Sequence, residues 1–165
     1  MTVTIRRATE DDVDWLVELL GGEDTEPYLS PLTIEHVRED VERSEREPQR
    51  IGRFVVEVDG ERAGAMGFEE RSERHRIASL GGLAVHPDFR GQRVADDGAR
   101  LLQRLLFDLG YHRLELACYG FNDRAIKHAE RAGFVREGVK RRAYLRHGEW
   151  HDAVLFGLVR EDLES

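Results

Sequence analysis

The sequence predicts a mixed α+β domain: a central, mostly antiparallel, twisted sheet of about seven strands flanked by about four helices. Three observations carry this. Asp59-Gly60 sits between two apolar-rich runs, 53–58 and 62–70, a strong hairpin signal. An apolar run at 77–85 leads through His86-Pro87 and a short loop into the best helical periodicity of the chain, 94–109. The runs 135–145 and 150–159 flank His147-Gly148, a second hairpin turn.

The elements follow in order. Residues 2–8 alternate, with Val3 and Ile5 on one face, and open the sheet. Thr9 reads as a helix cap before Glu10, Asp11 and Asp12; Val13, Leu16, Val17 and Leu20 recur at helical spacing until Gly21-Gly22. Residues 33–46 form a highly charged helix with a thin stripe of Ile34, Val37 and Val41. After the first hairpin and the strand 77–85, the helix 94–109 carries Val94, Leu101, Leu102, Leu105, Leu106 and Leu109 on one face, and Gly110 closes it. Residues 113–118 are a strand. Asn122 caps a helix that Gly133 ends, and the last hairpin completes the order β-α-α-β-β-β-α-β-α-β-β.

With 165 residues, one domain is expected and two would be cramped. Hydrophobic residues at 40% are enough for a core despite 35% charge, so disorder is not expected. The balance of 25 basic against 33 acidic residues, net −8, argues against non-specific nucleic-acid binding. The single cysteine, Cys118, can build neither a disulfide framework nor a cysteine zinc site, and the histidines do not cluster at ligand spacing, so no metal is expected. No run is long enough to span a bilayer, and residues 1–9 lack a signal-peptide core. A cytoplasmic protein without a membrane partner is the expectation.

The chemistry concentrates at Leu83-Ala84-Val85-His86-Pro87-Asp88-Phe89-Arg90-Gly91-Gln92-Arg93-Val94-Ala95. A strand passes through a loop into a helix whose first N–H groups have no internal partners, and with the helix dipole they make an anion site. Gly91 permits close backbone approach, and Arg90 and Arg93 add charge. The same residues also read as an ordinary strand-to-helix connection with solvated arginines. Neither the P-loop pattern nor the G-x-G-x-x-G dinucleotide pattern is present.

These residues resemble the acetyl-CoA pyrophosphate motif of the GNAT superfamily of N-acyltransferases: Val85-x-Pro87-x-x-Arg90-Gly91-Gln92-x-Val94-Ala95. Asn122-x-Arg124-Ala125-Ile126, Glu130-x-Ala132-Gly133-Phe134 and Glu137-Gly138-x-x-Arg141 are similar to its C-terminal signature. Ile5-Arg6-x-Ala8-x-x-x-Asp12 and Gly148-Glu149-Trp150-His151-Asp152 extend the likeness over the whole chain, nearest the branch of ribosomal-protein N-terminal acetyltransferases and spermidine acetyltransferases. The resemblance implies acetyl-CoA as co-substrate and a small-molecule or peptide amine as acceptor. It implies that the backbone of Leu83, Ala84 and Val85 pairs with pantetheine like an added strand. Arg90, Gly91, Gln92, Arg93, Val94 and Ala95 would hold the pyrophosphate, Asn122 the pantetheine amide, and Arg124 the CoA phosphates. A homodimer is compatible with it.

Three departures bear on the chemistry. Arg93 stands where the family pattern has its middle glycine. Ala129, preceded by His128, stands where many members carry the tyrosine that protonates the thiolate. Ser79-Leu80-Gly81-Gly82 lacks the common glutamate base. Deprotonating an alkylammonium at neutral pH costs roughly 4 to 5 kcal/mol, whereas a thiol leaves with modest help. Substitutes for acid and base are Glu69, Glu70, His128 and Tyr119, with Tyr144 a further acid; surface charge for the glutamates, a surface position for His128 and packing for the tyrosines are the bland readings. Only one of Glu69 and Glu70 can face a cleft, because strand neighbours alternate. Cys118 reads as a small buried residue, and His75, His86, His147 and His151 as surface. The acidic connection Gly22-Glu23-Asp24-Thr25-Glu26 would favour a cationic acceptor, although acidity is general in this chain. The alternative to an enzyme is a CoA-binding sensor or interaction module without catalysis. A third option is a longer acyl donor, given the small Gly81, Gly82 and Ala129.

Overall fold

The computed structural model describes residues 1–23, 25 and 32–164. Seven strands form one sheet: β1 (Val3–Arg7), β2 (Ile51–Val58), β3 (Glu61–Ser72), β4 (Ile77–Val85), β5 (Arg113–Tyr119), β6 (Val135–Arg146) and β7 (Glu149–Val159), ordered β1-β2-β3-β4-β5-β7-β6. The helices are α1 (Val13–Leu20), α2 (Ile34–Arg46), α3 (Val94–Asp108), α4 (Asp123–Arg131) and a short α5 (Arg160–Glu164) that the sequence reading did not anticipate.

Both hairpins turn where expected. Asp59 and Gly60 have φ of 49° and 85°, and His147 and Gly148 have 50° and 76°, so each turn uses two left-handed residues and matches the strand twist. All neighbouring strands are antiparallel except β4 and β5. Those two are parallel and pair only over Ile77–Ser79 against Arg113–Glu115. Beyond that they diverge, and the unpaired edges of both strands open a cleft in the middle of the sheet.

The sheet is covered on both sides. On β2, Phe54, Val56 and Val58 join the core under α3, with Leu102 and Leu106. Val55 faces the other way, into the smaller core with Val13, Leu16, Val37 and Val41 of α1 and α2. Burial on both faces is why β2 reads as an apolar run instead of an alternation.

Local chemistry corrects two readings. The acids after Thr9 form a 3-10 turn, Glu10–Asp12, before the α-helix starts at Val13. Asp12 is 1% exposed and is a buried counter-ion, accepting from Arg6 Nη1 at 2.7 Å, Arg6 Nη2 at 2.9 Å, Arg62 Nε at 3.0 Å and the Thr9 N–H at 2.8 Å. On α2, Ile34 is 37% exposed and the buried stripe is Val37, Val41 and Ser44. Ser44 Oγ accepts from the Arg53 N–H at 3.1 Å and from Arg7 Nη1 at 3.0 Å, so a helix with few apolar residues docks through a hydroxyl.

Candidate active site

The divergence of β4 and β5 leads into a cleft of about 1170 Å³ that runs from the start of α3 to the face covered by α2. Its walls come from β4, β5, the loop before α3, and α4. From Leu80 onward the β5-facing edge of β4 has no strand partner, so its backbone can pair with an extended ligand. The β3–β4 ladder also slips between Ala65 and Gly67, where Gly82 adopts φ +64°. This bulge turns local backbone groups out of the ladder beside the cleft.

The loop into α3 uses two left-handed residues, Gly91 at φ +76° and Arg93 at φ +62°. Arg93 therefore keeps the backbone geometry that glycine would adopt freely, at the steric cost of a Cβ. The first intrahelical bond runs from the Asp97 N–H to the Arg93 carbonyl at 3.0 Å. The N–H groups of Val94, Ala95 and Asp96 precede it and find no helical acceptor. Arg90 anchors the loop, its Nε donating to the Val85 carbonyl at 3.3 Å. These features suit a polyphosphate.

Asn122 caps α4, its Oδ1 accepting from the Ala125 N–H at 3.1 Å. Leu83, Ala84, Val85, Arg90, Gly91, Arg93, Val94, Ala95, Asn122 and Arg124, all named from sequence, line this cleft. Gln92 does not; it is exposed, with its Nε2 at 3.5 Å from the Asp88 carbonyl.

The acid–base candidates separate. Glu70 is outside the cleft lining; its carboxylate accepts from the Tyr111 hydroxyl at 2.9 Å and from Arg76 at 3.4 Å. It serves packing, and it raises the tyrosine pKa together with burial, the larger cause. Glu69 lines the rim, with Arg43 at 3.8 Å. His128 is no surface histidine: it is buried, with Nδ1 2.9 Å from Asp96 Oδ1, and burial pulls its pKa below the usual value against the pull of Asp96. Asp96 also accepts from Arg131 at 3.3 Å, which clamps the start of α3 to α4. Tyr119 lines the cleft inside an aromatic group, stacked on Phe121 at 5.2 Å and edge-on to Tyr144 and His151 at 5.6 Å and 6.0 Å. His151 therefore belongs to this group instead of the open surface. Cys118 is buried, and burial pushes its thiol up to about 11, so it stays protonated and non-nucleophilic at neutral pH.

Sequence reasoning missed Phe121 and Arg53. Phe121 lies in a turn that carries no periodicity. Arg53 is a charged residue in a strand, and only the packing of α2 shows that it is interior. Asp24 and Glu26 of the acidic connection lie outside the described residues.

Residues 16–134 match the acetyltransferase (GNAT) family. The chain belongs to that family. Among curated proteins it is 30% identical over 135 residues to the spermidine N(1)-acetyltransferase of Escherichia coli K12, covering 78% of this chain and 67% of that one. It is 32% identical over 83 residues to an uncharacterized prophage-derived N-acetyltransferase of Bacillus subtilis, covering 50% of this chain and 47% of the relative. The chain thus spans about half the length of that second relative.

Solved family structures superpose over nearly the whole chain. An acetyltransferase from Salmonella typhimurium, described as modifying the N-terminal serine of a 50S ribosomal subunit protein, gives a TM-score of 0.85 at 21% identity, covering 96% of this chain and 95% of that one. Spermidine N-acetyltransferase from Vibrio cholerae, solved with CoA and spermine, gives 0.84 at 21% identity, covering 99% and 98%. The GNAT fold and the branch resemblance read from the motifs agree with these findings. Among the described residues no group of His, Cys, Asp and Glu is placed to hold a metal ion, and no helix is long and apolar enough to cross a membrane.

Proposed function

We propose that this chain is a one-domain N-acetyltransferase that moves an acetyl group from acetyl-CoA to a primary amine. The carrying observation is the cleft between the diverging β4 and β5, which ends at the unpaired N–H groups of α3. A pantetheine arm fits the free β4 edge as an added strand, and the Arg90–Ala95 backbone fits the pyrophosphate. The exposed free edge and the left-handed loop are properties of the backbone, so they survive the arginine at position 93. The relative solved with CoA supports acetyl-CoA as co-substrate. A single cysteine, which allows no intrachain disulfide, suits a reducing, cytoplasmic setting.

In the reaction the neutral amine nitrogen attacks the thioester carbonyl carbon. The tetrahedral intermediate collapses with cleavage of the C–S bond, giving an acetamide and the CoA thiolate. One proton leaves the nitrogen and one is taken up by the thiolate. The carboxylates lining the cleft are Asp40, Glu69 and Asp96. Asp96 is committed to His128 and Arg131, and Asp40 to Arg53. The base is assigned to Glu69, whose ion pair with Arg43, at 3.8 Å, is the longest of the three. Tyr119, which lines the cleft, takes the role of the acid that Ala129 cannot supply.

The test is thiol release from acetyl-CoA with a panel of amines, alongside calorimetric titration of acetyl-CoA. Glu69→Gln is expected to lower kcat about 10²-fold or more, and Tyr119→Phe about tenfold or more, with acetyl-CoA binding retained. Undiminished turnover in Glu69→Gln would remove that residue from the mechanism. Ala129, 1% exposed and without a hydroxyl, favours the rival reading of a CoA-binding module. Acetyl-CoA binding with no acetylated product by mass spectrometry would establish the rival.

A further inference from the structure

The cleft has a second wall, on the α1/α2 face of the sheet. Strand alternation turns Arg53 toward this face along with Val55, and Arg53 lines the cleft. Its side chain is only 12% exposed. One arm of the guanidinium, Nη2, meets Asp40 of α2 at 3.5 Å, the outer limit of a hydrogen bond. The other arm, Nη1, is shut off from solvent and has no hydrogen-bond partner among the described residues. A Cβ added at Gly82 would lie 2.3 Å from Nη1, and one at Gly67 would lie 3.6 Å from it. The guanidinium is therefore pressed against the glycines of the β3–β4 bulge, the segment that reaches the divergence of β4 and β5.

A buried guanidinium N–H without an acceptor destabilises the protein unless a ligand supplies one. No carbonyl or side chain of the described residues meets Nη1, and Asp40 faces the other arm. The contact to Asp40 is loose enough for the fork to turn toward an entering oxygen. Arginine is selective for planar oxygen groups and repels ammonium. A polyamine would bring a second cation against this wall, whereas a carbonyl or carboxylate oxygen would complete it.

We propose that Arg53 recognises the acceptor: its Nη1–H donates to a carbonyl or carboxylate oxygen borne next to the amine, so that the acceptor is an α-amino acyl compound. The inference rests on the acetyl-transfer reading above and names its acceptor class.

The test compares alanine, alaninamide and dialanine with propylamine and spermidine, at saturating acetyl-CoA, in wild type and in Arg53→Met and Arg53→Lys. The α-amino group of an amino amide or peptide has a pKa near 8 against about 10.4 for an alkylamine, and the carboxylate of free alanine raises its amine above the former. Wild-type preference alone therefore decides nothing, and the readout is the change in the preference ratio. Arg53→Met is expected to cut the kcat/KM ratio of alaninamide to propylamine at least tenfold, with Arg53→Lys in between. Comparing alanine with alaninamide distinguishes carboxylate from amide carbonyl. An equal loss on all acceptors would mean that Arg53 only props the bulge, and would overturn the proposal. If Arg53→Met fails to unfold cooperatively on heating, Arg53→Lys carries the comparison. If no amine is acetylated although acetyl-CoA binds, the acetyl-transfer reading fails, and calorimetry of alaninamide on the CoA-loaded protein still decides. Tighter binding to wild type than to the variants supports recognition by Arg53; equal binding, or none to either, overturns it.

Discussion

Arg93 shows how one residue can keep a motif's backbone while changing its letter. At φ +62° it holds left-handed geometry that costs a non-glycine residue about 1 kcal/mol or more. Arg93→Gly removes that cost. It is expected to raise Tm by roughly 2 to 4 °C, for about 1 kcal/mol in a chain of this size. Thermal unfolding checks this, and an unchanged or lower Tm would mean that the arginine side chain contributes as much as its backbone costs. Gly82 is the opposite case. Its φ is +64°, and a Cβ there would meet Arg53 Nη1 at 2.3 Å. Gly82→Ala is expected to cost about 1 to 3 kcal/mol by urea unfolding, from the backbone alone.

At the scale of elements, the helices dock by different means. α3 is held by its apolar face, where Leu106 is fully buried, and by Gln103, whose Nε2 donates to the Ala132 carbonyl at 2.9 Å and ties α3 to the end of α4. α2 has only Val37 and Val41 fully inside, so Ser44 bears a larger share. Removing its hydroxyl leaves the buried Arg53 N–H and one Arg7 donor without this partner. Ser44→Ala is expected to destabilise by about 1 to 3 kcal/mol in equilibrium unfolding. A change within 0.5 kcal/mol, the usual surface value, would show that α2 docks by its valines alone. The Asp96–His128–Arg131 clamp joins the N-terminal end of α3 to α4.

For the whole molecule, stability should fall in acid in two steps, each because the unfolded chain binds a proton more readily than the folded one. His128 has its pKa lowered by burial, so the unfolded chain takes up a proton below about 6.5 that the folded protein resists. Stability from this group is lost as pH falls below the unfolded value. Asp12 is held down to about 2, first by its bonds from Arg6, against an ordinary 3.8. Its contribution, at most roughly 2 kcal/mol, is present above the unfolded value and is lost as pH falls from there toward the folded one. Urea midpoints measured from pH 8 to 3 should show both declines. Asp12→Asn should remove the lower one and His128→Gln the upper. A single decline insensitive to both variants would assign acid unfolding to other groups.

Periodicity and turn chemistry by themselves determined the element order as far as β7, both hairpin turns, the helix ends at Asn122 and Gly110, and the strand-to-loop-to-helix passage at 83–95. These signals are local: a helix stripe, a left-handed turn or a capping side chain acts within a few residues. The family likeness rests on the same short motifs, so it too was legible. What the letters could not contain was decided by packing. Nothing in 77–85 or 113–118 announces that β4 and β5 pair over three residues and then part. Glu69 and Glu70 are equal in sequence, and only the sheet's faces send one to the cleft rim and the other to Tyr111. His128 needed α3 beside it to become buried. Arg53 reads as an ordinary strand charge until α2 and the Gly81–Gly82 bulge close over it, because burial and partner geometry arise between segments distant in the chain.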